Sequence, residues 1–171
     1  KERNVASLAE EHGFSLYHAD IRDQKAMDAI MRKHGCTRII HLAARAGVRP
    51  SLEDPLLYAD VNINGTIVLL ELAKAYKVGG FIFASSSSVY GANEKVPFSE
   101  EDDVSRQISP YGVSKRAGEL HCHAYHELYG IPITCLRFFT VYGPRGRPDM
   151  APYKFTRLIH DGKPIEMFGD G

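Results

Sequence analysis

Tryptophan is absent from the 171 residues, and cysteine occurs only at Cys36, Cys122 and Cys135. An odd number of thiols without Cys-x-x-Cys spacing argues against a disulfide framework and suits reduced thiols in the cytoplasm. Net charge is missing too. The 21 basic residues balance 21 acidic ones, so no overall field draws the chain to nucleic acid or to an anionic membrane. No apolar run approaches the roughly 18 residues of a membrane span, and no signal peptide opens the chain. Internal repeats, low-complexity tracts and interdomain linkers are also lacking. What is there reads as a soluble globular domain, 44% hydrophobic and 25% charged, long enough for one substantial core. Small molecules or other protein chains are its expected partners.

Strand and helix patterns alternate along the chain, which predicts a parallel sheet covered by helices. Strands are expected at Phe14 to Ala19, Arg38 to Leu42, Phe81 to Ala84 and Ile133 to Phe138. Helices are expected at Gln24 to His34, capped by Asp23 and stopped by Gly35, and from Asp54-Pro55 to about Lys77. The second of these is apolar on most sides, as burial on two faces requires. Ser109-Pro110 opens a third helix that runs to about Tyr129 and stops at Gly130. Its apolar residues Val113, Ala117, Leu120, Ala124 and Leu128 form a stripe that is expected to anchor it. Pro144 to Pro152 reads as a loop and Tyr153 to His160 as a short helix.

Chemistry concentrates at two places. Tyr111 and Lys115 stand at i and i+4 on the third helix, so a phenol and an ammonium share one face. A phenol has a reference pKa of about 10, and a neighbouring ammonium favours its ionised form, which brings it towards base chemistry. Ser86 lies in Ser85-Ser-Ser-Ser-Val-Tyr-Gly91, where the Phe81 to Ala84 strand ends. Open parallel sheets bind ligands at such ends. Ser86, Tyr111 and Lys115 are therefore the candidate catalytic residues. His121, Cys122, His123 and His126 invite a metal reading, but they lack the spacing of a zinc-binding helix and are explained by a solvated face. No metal site is expected.

Six motifs in order carry a resemblance: Asp20-Ile21, His41-Leu-Ala-Ala44, Asn62-Ile-Asn-Gly-Thr66, Ser85 to Gly91, Tyr111 to Lys115, and Arg137-Phe-Phe-Thr-Val-Tyr-Gly-Pro144. Together they resemble the extended short-chain dehydrogenase/reductases of the NAD-dependent epimerase/dehydratase family. Ala43 to Ser51 and Gly146 to Ala151 look most like UDP-glucuronate 4-epimerases. The resemblance implies a Rossmann-like doubly wound α/β fold, bound NAD, a UDP-sugar substrate and a homodimer in the full-length parent.

By the same resemblance, Tyr111 takes the proton of the sugar 4-hydroxyl, Lys115 binds the nicotinamide ribose, and Ser86 bonds to the reacting oxygen. Asp20 and Ile21 border the adenine. Leu42, Ala43, Ala44 and Arg45 pass beside the cofactor, Asn62 positions that loop, and Phe139 lies near the nicotinamide. Ser87, Ser88 and Thr140 are placed near the substrate, with Arg147, and then Arg49, as the guanidinium that recognises a C6 carboxylate.

Two departures shape these expectations. Dehydratases of this branch carry an Asp-Glu pair, and decarboxylases a Glu, where this chain has Ser87-Ser88, so epimerisation leads and a nucleotide-sugar 4,6-dehydratase or another 4-keto-forming relative is the alternative. The Gly-x-x-Gly-x-x-Gly turn that approaches a pyrophosphate does not occur before the first strand. Residues 1–171 thus read as a partial NAD-binding domain, with 144–171 beginning the substrate-binding region. In the strand order 3-2-1-4-5-6, the strand ending at Asp20 would be the third and that ending at Leu42 the fourth. The isolated segment is expected to be inactive, and a non-catalytic binding or scaffold role is the other reading of it.

Overall fold

The computed structural model describes residue 5 and residues 13–167. They divide into one compact unit of residues 17–139 and a second drawn from residues 1–16 and 140–171.

In the larger unit, helix α1 (Gln24–His34) begins where the Asp23 carboxylate accepts from the Ala26 amide and ends at Gly35, whose φ of 57° is left-handed. Only glycine adopts that conformation without steric cost, so the stop signal works as read. Strands β1 (Ile39–His41), β2 (Phe81–Ala84) and β3 (Ile133–Leu136) form a parallel sheet in the order β1-β2-β3. Ile39 pairs with Phe81 and Phe81 with Ile133. Equal register brings all three carboxyl ends to the same edge. This is the half of a Rossmann-like sheet that follows its topological switch.

Phe14 to Ala19 is not a strand. A strand exists through ladder bonds, and the described residues offer this stretch no neighbour. Phe14, Leu16 and Tyr17 are accordingly exposed. Between β1 and β2, helix α2 (Val48–Glu53), unforeseen from the sequence, precedes α3 (Pro55–Ala59). Asp54 caps α3 by accepting from the Leu57 amide, and Pro55 occupies its first turn. The path continues through a π-helical turn (Asp60–Asn64) into α4 (Gly65–Ala75). Taken together, Pro55–Ala75 is long and apolar enough to cross a membrane. Its lower half is instead a core helix: Leu69, Leu70, Leu72 and Ala73 pack with Phe81, Phe83 and Ile131. Leu56, near its start, is 81% exposed, so this end of the helix departs from the expected burial on two faces.

Helix α5 (Pro110–Tyr129) starts as expected, with Ser109 accepting from the Gly112 amide, and stops at the left-handed Gly130. Its packing is the reverse of the expectation. Val113, Leu120 and Leu128 face outward, while Gly112, Ser114, Lys115, Gly118, Glu119 and Cys122 are buried. Gly118 explains the close approach. A Cβ there would stand 2.3 Å from the Phe83 ring, so the helix lies on β2 through a position without a side chain. The polar residues beside Gly118 reach past it to the strand ends.

In the smaller unit, helix α6 (Ala151–His160) carries Pro152 in its first turn and begins two residues earlier than expected. Lys154 Nζ pairs with Glu166 at 3.2 Å.

Candidate active site

The carboxyl edge of the sheet gathers most of the predicted residues. Leu42 to Arg45 leave β1, Ser85 to Ser88 leave β2, and Arg137 to Phe139 leave β3. Ser86 caps a single 3-10 turn (Ser87–Tyr90), its Oγ accepting from the Ser88 amide at 3.1 Å. The hydroxyl proton of Ser86 remains available for another oxygen. Ser87 donates its amide to the Phe138 carbonyl at 2.8 Å, which ties the β2 and β3 exits together.

Helix α5 meets this edge at Lys115. Lys115 is 4% exposed, and its ammonium donates to the Ala84 carbonyl at 2.6 Å and lies 5.1 Å from the centre of the Phe83 ring. Burial lowers its pKa to about 8. One of its three N–H donors is thereby used at the residue next to the serine run. Tyr111, one turn earlier on α5, is half-buried, and its ring stands edge-on to Tyr58 at 6.2 Å. Lys115 is thus bonded to the residue that precedes the serine segment, and Tyr111 stands one turn earlier on the same helix.

The backbone around Tyr111 is held from outside the helix. Its amide, one of the orphan donors of a helix start, finds the hydroxyl of Ser51 on α2 at 3.1 Å. Ser51 is wholly buried and itself donates to the Val48 carbonyl. Tyr58 donates its hydroxyl to the Ala46 carbonyl at 2.9 Å. Nothing in the spacing of Ser51 or Tyr58 announces these roles, because each bond closes a loop of the chain.

Asn62 is bonded to the loop that follows β1. The residue is 2% exposed; its Oδ1 accepts from the Arg45 amide at 2.8 Å, and its Nδ2 donates to the Arg45 carbonyl at 3.0 Å and to Ser114 Oγ at 2.9 Å. Ser114 in turn donates to the Tyr111 carbonyl at 2.8 Å. The Asn62 carbonyl accepts from Thr66 Oγ1 at 2.6 Å, which leaves Thr66 able only to accept from His41 Nε2 at 2.9 Å. That network assigns the His41 proton to Nε2. Nδ1 is buried without a partner, and burial, aided by the Lys115 charge, lowers the imidazole pKa to about 4. A neutral imidazole is the form that fits this apolar position.

The other predicted residues have partners of their own, are exposed, or belong to the smaller unit. The exposed Asp20 carboxylate pairs with Arg22, chiefly through side-chain hydrogen bonds, and has its pKa lowered to about 2; Arg22 also reaches Asp60 at 2.5 Å. Ile21 packs against Gly65 of α4. Phe139 is 57% exposed and joins Phe98 and Tyr90 in a ring cluster. Arg49 lies on the exposed side of α2. Thr140 and Arg147 belong to the smaller unit. There Arg147 donates to Asp149 at 3.0 Å and lines a cavity of about 490 Å³ with Tyr142, Met150, Tyr153 and His160. Among the described residues, no group of three His, Cys, Asp or Glu side chains could hold a metal ion. Cys122 faces the core, and His126 Nδ1 lies 2.8 Å from the Ile131 carbonyl.

A family model described as the NAD dependent epimerase/dehydratase family matches residues 1–171. The chain belongs to that family. It is 48% identical, over its whole length, to a probable UDP-glucuronate 4-epimerase of Rhizobium meliloti, of which it covers 50%. Among solved structures, it resembles the Bacillus cereus UDP-glucuronic acid 4-epimerase in complex with UDP-glucuronic acid and NAD. That likeness has a TM-score of 0.89 at 42% identity, covering 99% of this chain and 53% of the other. A double mutant of the Streptomyces venezuelae dTDP-glucose 4,6-dehydratase with NAD bound gives a TM-score of 0.92 at 29% identity, covering 100% of this chain and 52% of the other. The chain spans about half the length of the curated relatives it matches.

Proposed function

We propose that this chain carries the proton-transfer site of an NAD-dependent UDP-glucuronate 4-epimerase, which interconverts UDP-glucuronate and UDP-galacturonate through a 4-keto sugar. One observation supports this most. The buried Lys115 ammonium is bonded to the strand end beside Ser86 and carried by the helix that carries Tyr111. The Tyr111 oxygen takes the proton of the sugar 4-hydroxyl and returns it after the keto sugar has turned its other face. The Ser86 hydroxyl donates to the same sugar oxygen and aligns it, with Ser87 and Ser88 beside the sugar.

NAD fits the residues present. The Arg45 backbone is clamped by Asn62 where the cofactor would pass, and Lys115 retains donors beyond the one given to Ala84. When bound, NAD supplies a reversible hydride acceptor. Lys115 would hold its ribose, and Leu42 to Arg45, Asp20, Ile21 and Phe139 would border it. A guanidinium pairs bidentately with a carboxylate, as Arg147 does with Asp149 within the smaller unit. A dehydratase is not favoured, because Ser87 and Ser88 provide no carboxylate for elimination.

The working state is a cytoplasmic homodimer. Val113, Leu120 and Leu128 on α5, together with Leu56 on α3, offer apolar surface that a second copy would cover. The catalytic reading is tested by incubating the intact protein with UDP-glucuronate and resolving the products by NMR. UDP-galacturonate is expected, with kcat falling about 10²–10⁴-fold in Tyr111→Phe. A deoxy-keto or pentose product without galacturonate, or undiminished turnover in that variant, would refute it.

A further inference from the structure

Lys115 is followed one turn later by Glu119, and the two side chains bind successive residues of the β2 exit. Lys115 donates to the Ala84 carbonyl, and Ser85 donates its hydroxyl to Glu119 Oε1 at 2.6 Å. Glu119 is 6% exposed, and its carboxylate accepts three further bonds: 3.0 and 3.1 Å from Arg137, and 3.0 Å from Arg116. Arg137 stands at the β3 exit, with its guanidinium over the Tyr90 ring at 5.1 Å and a bond to the Glu100 carbonyl at 3.2 Å. Burial alone would raise the Glu119 pKa, but Arg137, Ser85 and Arg116 outweigh it and hold the carboxyl below its ordinary range. One ionised carboxylate therefore joins the exits of β2 and β3 to the helix that carries Tyr111.

All the acceptor capacity of this carboxylate is used within the protein, so it has no lone pair to offer a substrate proton. The hydroxyl proton of Ser85 is likewise committed. We infer that Glu119 and Ser85 form a positioning pair, which fixes the height of the Ser86–Ser88 segment against Tyr111 and Lys115. The inference rests on the catalytic reading above and extends it to two residues outside the proton-transfer set. A misplacement of about 1 Å at a reacting centre can cost about 10²-fold in rate, so one clamping bond beside Ser86 is enough to be visible in kcat.

The test compares Ser85→Ala, Glu119→Gln and the double variant in the intact protein. Turnover of UDP-glucuronate is measured together with amide hydrogen exchange over residues 84–88. Each single change is expected to lower kcat about tenfold while KM moves less than about twofold, because the lost effect is orientation rather than binding. The double variant is expected to be no slower than Glu119→Gln alone, and exchange over 84–88 is expected to quicken while that of α1 stays constant. Ser85→Ala removes one bond and leaves the Glu119 ion pairs intact, so it carries the test even where Glu119→Gln fails to fold. Unchanged kcat in Ser85→Ala, losses that multiply in the double variant, or a change confined to KM would overturn the inference. If the unmodified protein does not turn over UDP-glucuronate, the catalytic reading fails, and exchange alone judges the pair: faster supports it, unchanged refutes it.

Discussion

Replacing Asn62 by alanine should loosen the loop beside the site more than any other single truncation of a polar side chain in α3, the π-helical turn or α4. The amide is 2% exposed and makes three side-chain bonds of 2.8, 3.0 and 2.9 Å. Removing it strands the Arg45 amide and carbonyl together, while Ser114 keeps its bond to the Tyr111 carbonyl and loses least. A buried group left without a partner costs about 1–3 kcal/mol. Arg45 is exposed in part, so water offsets some of that cost, and the total should be about 2–4 kcal/mol. Urea unfolding of the intact protein should show this as a lower midpoint at unchanged slope. Affinity for NAD should fall with it, since Arg45 follows the strand end where the cofactor is proposed to lie. Asn62→Asp keeps an acceptor for the Arg45 amide but sets a carboxylate against the Arg45 carbonyl. It should be destabilised at neutral pH and recover as acid protonates the new side chain into a donor. A loss below about 0.5 kcal/mol in Asn62→Ala, the scale of an ordinary surface substitution, would refute the clamp.

His41 should shape the acid limb of stability. Its pKa is lowered to about 4 in the folded chain from 6.5, so between those values the unfolded state binds the extra proton and stability falls as pH falls. The contribution lost by pH 4 is about 3 kcal/mol at 1.36 kcal/mol per unit; His41→Leu should flatten that slope whatever its stability at neutral pH, and parallel curves for the two proteins would contradict the reading. Leu120 is 53% exposed on α5, and Leu120→Glu should convert the proposed dimer to a monomer in sedimentation velocity, with an unchanged dimer as the contrary result.

Local signals were legible from residues alone. Asp23, Asp54 and Ser109 cap their helices through bonds within a few residues, and Gly35 and Gly130 end helices by a conformation only they adopt cheaply. The alternation of strands and helices, the i, i+4 placement of Tyr111 and Lys115, and the serine run at the β2 exit follow from chain-local geometry. Where the reading failed, a distant partner decided. Phe14 to Ala19 has strand-like residues but no neighbouring strand among those described. The apolar stripe of α5 predicts its anchor, yet Gly118 lets the opposite face settle on Phe83.

What the amino-acid order determined by itself was the set of candidate reacting groups and the elements that bear them, because helical pitch and strand alternation act within a few residues. Only the tertiary structure decided what holds those groups in place. Ser51 reaches the Tyr111 amide, Asn62 reaches Arg45 and Ser114, and Glu119 reaches Ser85 and Arg137. Each of these contacts joins residues far apart in the chain, and a hydrogen bond of about 3 Å exists only once the sheet and helices have closed that distance.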